Sequence, residues 1–247
     1  MQDSIKEFIA LFEKVRDTGY IRTHRKGNTG IGKTFEDACN IVENNLDEPD
    51  FKGIEIKSRR RYASSYITLF TKAPSFPKGV NTLLREKYGT PDIEYPEMKV
   101  LHTSAFSHQF NTHRSGYGFK IEADDKTQKI YLRINNLSRN ELEPMLVYWT
   151  YADIEKILTQ KLLTTAVVEA ETRMRDGHEE FHFTSCTILT GLNIARFISL
   201  IQNGYIMFDI RIGVYKTGSS MGKSHDHGSG FRISRDNLTK AFDIIDI

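Results

Sequence analysis

Four residues constrain this chain more than any others: Ile54-Glu55-Ile56-Lys57. Isoleucine and charge alternate with the two-residue period of a β-strand. The isoleucines then face a core while Glu55 and Lys57 share the other side. Pro49 and Asp50 stand just before, separated from the strand by Phe51-Lys52-Gly53, a turn that lets Asp50 fold back toward Glu55. Two carboxylates and one ammonium thus converge. A D-x4-E-x-K spacing is common by chance, and a surface turn before a half-exposed strand also fits it. The bracketing isoleucines, the preceding proline, the Arg59-Arg60-Arg61 triplet and the upstream Glu36 favour a built site.

These groups suit phosphodiester hydrolysis. Magnesium takes oxygen ligands and is usually held by one or two carboxylates plus substrate phosphate. Asp50 and Glu55 are the candidate ligands, with the Ile56 carbonyl as a third. Such a metal polarises the phosphoryl group. Lys57 is placed to hold the attacking water and stabilise growing negative charge. Arg59, Arg60 and Arg61 are candidates for flanking phosphates.

The rest of the chain reads as α/β with a mixed sheet. Apolar residues at helical spacing predict helices over 3–17, from Thr34 as N-cap through Phe35, Ala38, Ile41, Val42 and Leu46, over 151–163, and over 192–202. The tail 234–245 reads as a short helix. Strands are expected at 54–58, 66–70, 117–123, 129–134, 164–175, 179–189 and 205–216, with hairpins across Asp124–Gln128 and Asp176-Gly177. Residues 73–100 read as irregular.

Hydrophobic residues make up 39% and charged residues 27% of the 247, an ordinary soluble mix. That length fits one large domain or two lobes sharing a core. No run approaches the ~20 apolar residues of a membrane span. The amphipathic N-terminus does not read as a signal peptide. Cys39 and Cys186 read as two reduced core residues, and the expected location is the cytoplasm. Net charge is only +2, but five cations face two anions between Tyr205 and Arg235. Local basic patches on a near-neutral chain suit a protein that grips phosphates.

In that basic tail Asp209 and Arg211 share one strand face. Arginine can bind guanine O6 and N7 while aspartate accepts from cytosine N4. A surface ion pair is the plain alternative. The glycine-rich loop after it carries Lys223, His225, His227 and Arg232. It reads as a groove-entering DNA contact, a solvated loop, or, through His225 and His227, a weak metal motif. His102, His108, His113 and Arg114 lie in a polar stretch read as a loop, with an opposing DNA jaw as the alternative. A competing motif spans Gly27 to Thr34, which fits the P-loop pattern of an NTPase. A P-loop must follow a buried apolar strand, and the polar segment before Gly27 is a poor one.

The run EPDFKGIEIKS resembles the PD-(D/E)xK nuclease motif. With the glycine-rich loop and the tail FDIRIGVYKTGSSMGKSHDHGSGFR, nearly the whole chain resembles the MvaI/BcnI type of restriction endonuclease, which is related to the MutH mismatch-repair nickase. The resemblance implies a restriction-endonuclease-like fold with a mixed central sheet flanked by helices. It implies two lobes around a DNA-binding cleft, 1–140 catalytic and 141–247 for recognition. In that family a glutamate from the helix before the motif joins the active site, and Glu36 matches it; a helix N-terminal acid favoured by the dipole is the alternative. The resemblance further implies Mg2+, double-stranded DNA, a bacterial cytoplasmic setting and no obligate protein partner. It points to a monomer that nicks each strand in turn at a CC-N-GG site, here CC-[A/T]-GG. A MutH-like repair nickase is the alternative function.

Overall fold

The computed structural model describes residues 2–27, 29–42, 48–61 and 66–247. In chain order the elements are α1 (Gln2–Asp17), β1 (Ile21–Arg22), α2 (Gly30–Ala38), β2 (Glu55–Arg60), β3 (Tyr66–Thr71), α3 (Val80–Tyr88), β4 (Thr90–Pro91), β5 (Lys99–Ala105), β6 (Tyr117–Asp124), β7 (Lys129–Asn136) and β8 (Glu141–Leu142). Then come β9 (Tyr148–Thr150), α4 (Tyr151–Lys161), β10 (Thr164–Arg175), β11 (His178–Thr190), α5 (Ile194–Gln202), β12 (Ile206–Val214), β13 (Ser224–Asp226), β14 (Gly230–Ser234), α6 (Leu238–Ala241) and β15 (Asp243–Asp246). The α/β class holds, but the described strands form three sheets rather than one central sheet.

The chain forms two compact units. The first comprises Met1–Ser64, Ile157–Asn193 and Ala241–Ile247. Its sheet runs β1-β11-β10-β2, with β15 also on β11. The strand carrying Glu55 and Lys57 lies at the edge and pairs with β10 in parallel, while the other described pairings in this sheet are antiparallel. One face of the sheet packs under α1 and α2. Ile54, Ile56, Phe181 and Phe183 meet Phe8, Phe12 and Phe35 there. Phe35 sets its ring edge-on to Phe183, centroids 5.0 Å apart. Burying each such side chain is worth roughly 1.5–3 kcal/mol, and this is what anchors the strand. The turn between β10 and β11 has positive φ at both Asp176 and Gly177, the mark of a type I′ hairpin.

The second helix departs from the sequence reading. It starts at Gly30 after Thr29 as the N-cap, five residues early, and ends at Ala38. Thr34 is not its cap; the hydroxyl donates to the Gly30 carbonyl at 2.8 Å inside the helix. Gly30 is needed because a Cβ there would stand 2.3 Å from the Arg25 carbonyl oxygen. Ile41 and Val42 fall beyond the helix, and Leu46 lies outside the described residues.

The second unit comprises Ser65–Lys156 and Ile194–Lys240. One sheet runs β3-β14-β12-β5-β4, with β13 on β12; the other runs β6-β7-β8, with β9 on β7. Trp149, Phe208, Phe231, Phe197 and Phe70 fill its core. The Trp149 indole N–H donates to the Lys72 carbonyl at 3.0 Å. The stretch 73–100 is not irregular: it holds α3, β4 and the first two residues of β5. The tail is not one helix either, since β15 follows α6 and pairs with β11. Each unit draws on both halves of the sequence, unlike the expected contiguous lobes 1–140 and 141–247. The reason is pairing: the chain builds most of the second unit before β10 returns to lie beside β2.

Candidate active site and base-reading cluster

The turn before β2 is built as its composition suggests. Phe51 and Ile54 exchange backbone hydrogen bonds of 3.0 and 2.7 Å. Lys52 and Gly53 between them both have positive φ. This tight reversal brings Asp50 back over the strand, where its Oδ2 accepts the Ile56 N–H at 2.7 Å. The other carboxylate oxygen remains for a further partner. One strand position earlier, Glu55 Oε1 accepts from Lys57 Nζ at 3.3 Å, with side chains 18% and 23% exposed. Asp50 thus meets the backbone between Glu55 and Ile56, and the acid–lysine pair projects from the face opposite Ile56.

Thr165 on β10 is the register partner of Glu55. Its hydroxyl is buried without a hydrogen-bond partner among the described residues. A buried orphan hydroxyl beside a carboxylate fits a site that takes up another hydrophilic group. Among the described residues no three His, Cys, Asp or Glu side chains form a metal cage. Magnesium does not require one: two carboxylates and a carbonyl suffice, the remainder being water and phosphate. The residues present therefore fit that ion.

The arginine triplet is engaged. Arg59 donates through Nε to Glu169 Oε1 at 2.7 Å and pairs with it through Nη2 as well. Arg60 reaches over Phe181 to Glu179 with bonds of 3.1 and 2.7 Å. Arg61 pairs with Glu171 at 2.8 Å. These carboxylates lie on β10 and β11, more than a hundred residues away, so no local signal announced them. Arg61 is the most exposed of the three, at 47%.

Glu36 sits seventh in the nine-residue α2, not in its first turn. The helix dipole disfavours an acid toward that end, so the dipole does not explain it. Its neighbour Phe35 is buried in the core, while Glu36 stays half-buried on a helix packed against β2. Its charge adds to the burial that pushes the Cys39 thiol up to about 12. The P-loop alternative finds no geometry. Lys33 pairs with Asp37 at 2.6 Å, Thr34 bonds its own helix, and the preceding strand has only two residues.

In the second unit Asp209 is almost buried. Its Oδ1 accepts the Ser104 hydroxyl at 2.9 Å and its Oδ2 accepts Arg211 Nε at 2.7 Å. Arg232 Nε lies 3.0 Å from the same Oδ2 without the alignment of a hydrogen bond. Burial holds the Arg232 guanidinium below its ordinary value, with Asp209 opposing and Arg211 adding. The aspartate is thus a brace for two arginines, and Arg211 stands 47% exposed beside it. Asp209, Arg211 and Ser104 line a pocket of about 490 Å³ with His102, Thr103 and His227.

His225 stacks on Tyr215 at 4.3 Å and lies 4.3 Å from the His227 ring. No metal cage forms around this pair among the described residues. Lys223 closes the loop through backbone bonds with Tyr215 and Ser220. His102 is not in a loop: it lies on β5, opposite Arg211. The prolines before β5 hid that strand, and with it a wall of the pocket. His113 bonds Ser115, and Arg114 donates to Thr90 at 2.7 Å. His108 packs against Phe106.

No helix among the described residues is long and apolar enough to cross a membrane. No curated protein matches the sequence. Solved structures do. The chain is 36% identical to the protein in a complex of restriction endonuclease MvaI with cognate DNA substrate, with a TM-score of 0.90 over 100% of this chain and 99% of that one. It is 35% identical to restriction endonuclease MvaI in the absence of DNA, with a TM-score of 0.64 over 100% and 98%. The profile of the MvaI/BcnI restriction endonuclease family matches residues 9–242. With its strand-borne acid–lysine pair and its fold both accounted for, the chain belongs to the MvaI/BcnI restriction endonuclease family.

Proposed function

We propose that this chain hydrolyses double-stranded DNA at CC-[A/T]-GG sites with Mg2+, acting as a bacterial cytoplasmic monomer that nicks each strand in turn. The observation that carries the chemistry is Asp50 folded onto the Ile56 N–H beside the Glu55–Lys57 pair. Asp50, Glu55 and the Ile56 carbonyl would hold the ion, which supplies Lewis acidity toward the phosphoryl oxygens. Lys57 orients the attacking water and stabilises charge as it builds on the phosphate. Water enters in line with the 3′ oxygen, which leaves. Glu36 completes the acidic set from the neighbouring helix. Arg61 meets a flanking phosphate, exchanging its exposed pairing with Glu171, while Arg59 and Arg60 brace the strand.

Arg211 reads a guanine edge with its guanidinium plane set by Asp209, and Arg232 supports it. Lys223, His225 and His227 supply contacts around that base. A good bidentate arginine–guanine contact discriminates by ~1–3 kcal/mol. Incubation with plasmid and Mg2+, followed by sequencing of the fragment ends, tests this reading. Ends should fall at CC-[A/T]-GG, and EDTA should abolish cutting. Random ends would remove the specificity; nicking that requires another protein would favour a MutH-like repair nickase.

A further inference from the structure

The strand that carries Asp209 and Arg211 continues to Gly213, two residues on and therefore on the same face. Glycine in the interior of a strand packs nothing and often marks a close approach. The φ at Gly213 is not positive, so the backbone does not require glycine there. The space does. A Cβ on Gly213 would stand 2.5 Å from His227 Nε2 and 2.8 Å from His227 Cδ2, whereas non-bonded carbons settle at about 3.5–4.0 Å. The imidazole occupies the volume of the missing side chain.

The loop around that ring is pinned independently of it. The His227 N–H donates to the Arg211 carbonyl at 2.8 Å. Ser229 Oγ accepts the Arg211 N–H at 2.8 Å. Asp226 Oδ1 accepts the N–H groups of Gly228 and Ser229 at 3.0 and 2.6 Å. The backbone on both sides of His227 is thus held to β12, and the imidazole alone answers to Gly213. His225 on β13 is the register partner of Gly213. Its ring stacks on Tyr215 and lies 4.3 Å from that of His227. Tyr215, His225 and His227 form a row of rings whose last member lies over the glycine. His227 stays exposed and lines the same pocket as Arg211.

We propose that Gly213 is a specificity-determining positioning residue: its empty side-chain position is the socket that seats the His227 imidazole beside Arg211, so that both side chains meet base edges of the same duplex. The proposal rests on the base-reading role given to Arg211 and His227, and adds what aims the histidine. Alanine at 213 would push the ring aside by about 1 Å. A hydrogen bond to a base edge does not survive that, because its length spans only about 2.7–3.2 Å.

The test uses the full chain and short duplexes carrying either one CC-[A/T]-GG site or that site with a single base pair exchanged. Affinity is measured by fluorescence anisotropy in EDTA for wild type, Gly213→Ala, His227→Ala and the double variant. Gly213→Ala should reduce the preference for the cognate duplex by at least about fivefold, at the same base pair as His227→Ala does. The double variant should discriminate no worse than His227→Ala alone, since the added methyl then has no imidazole to displace; such non-additivity reports direct coupling. Full discrimination by Gly213→Ala, a loss at a different base pair, or losses that add in the double variant would overturn the proposal. So would a melting temperature lowered by Gly213→Ala and not recovered in the double variant, which would mark a backbone role. Wild type without preference for the cognate duplex would remove the base-reading role and the proposal with it. Wild type that prefers this duplex but leaves it uncut in Mg2+ would sink the nuclease reading alone.

Discussion

His227 shows how one side chain takes its properties from its surroundings. Burial lowers its pKa from the ordinary 6.5, the nearby His225, His102 and Arg211 lower it further, and Asp226 opposes them. The unfolded chain therefore takes up this proton first as pH falls. His227 withholds stability below pH 6.5 rather than adding it, and the loss grows until the folded state protonates too. His227→Gln should flatten that part of the stability curve. Melting temperatures of both proteins at pH 7.5, 6.5 and 5.5 check this, and parallel curves would refute it. The cysteines behave in the opposite sense. Burial pushes Cys39 and Cys186 up to about 12, so neither is a thiolate at pH 8. The native protein should resist a thiol reagent that labels both once urea is added; rapid native labelling would contradict their burial. At this scale the sequence was a good guide to the turn that folds Asp50 back and to the strand face that Glu55 and Lys57 share, because strand period and turn composition are local. It was a poor guide to Arg59–Arg61 and to the bracing of Asp209 by Ser104, because those partners come from distant strands.

Elements carry their own signals, with their own failures. The fourth helix opens on a reciprocal cap. Thr150 Oγ1 donates to Asp153 at 2.8 Å and accepts the Asp153 N–H at 3.1 Å, and the Ser75 hydroxyl adds to the same carboxylate. These bonds hold the Asp153 carboxyl below the usual range. The stabilisation is present above the ordinary value near 3.8 and lost as pH falls through the folded one. Thr150→Ala should cost ~1 kcal/mol, seen as a lower urea midpoint at unchanged slope. No change would mean the cap is idle. The β10–β11 hairpin was legible from Asp176-Gly177, and α1 from its apolar spacing. The start of α2 was not, because Gly30 and Gly32 look like loop residues and Thr34 looks like a cap. Only the close approach of Arg25 explains a glycine opening that helix. The third helix and β5 were hidden for a related reason: Pro74, Pro77 and Pro91 punctuate the sequence around them.

For the whole molecule, the class was legible and the chain's path was not. Alternating helical and strand periods predicted α/β, and the motif-bearing strand was correctly rooted in a core. Nothing local indicated that β10 would return to pair in parallel with β2 across an excursion of about a hundred residues, and that pairing sets the boundaries of both units. It also supplies Thr165 and Glu169 to the face that carries Glu55 and Lys57. The central claim is that this face cuts DNA through Asp50, Glu55 and Lys57. Comparing wild type with Lys57→Ala on one duplex carrying a CC-[A/T]-GG site, in Mg2+ for cleavage and in EDTA for binding, tests it most directly. Cleavage should fall by at least ~10²-fold while affinity changes by less than about threefold. A variant that cuts as fast as wild type, or a wild type that binds without cutting, would contradict it.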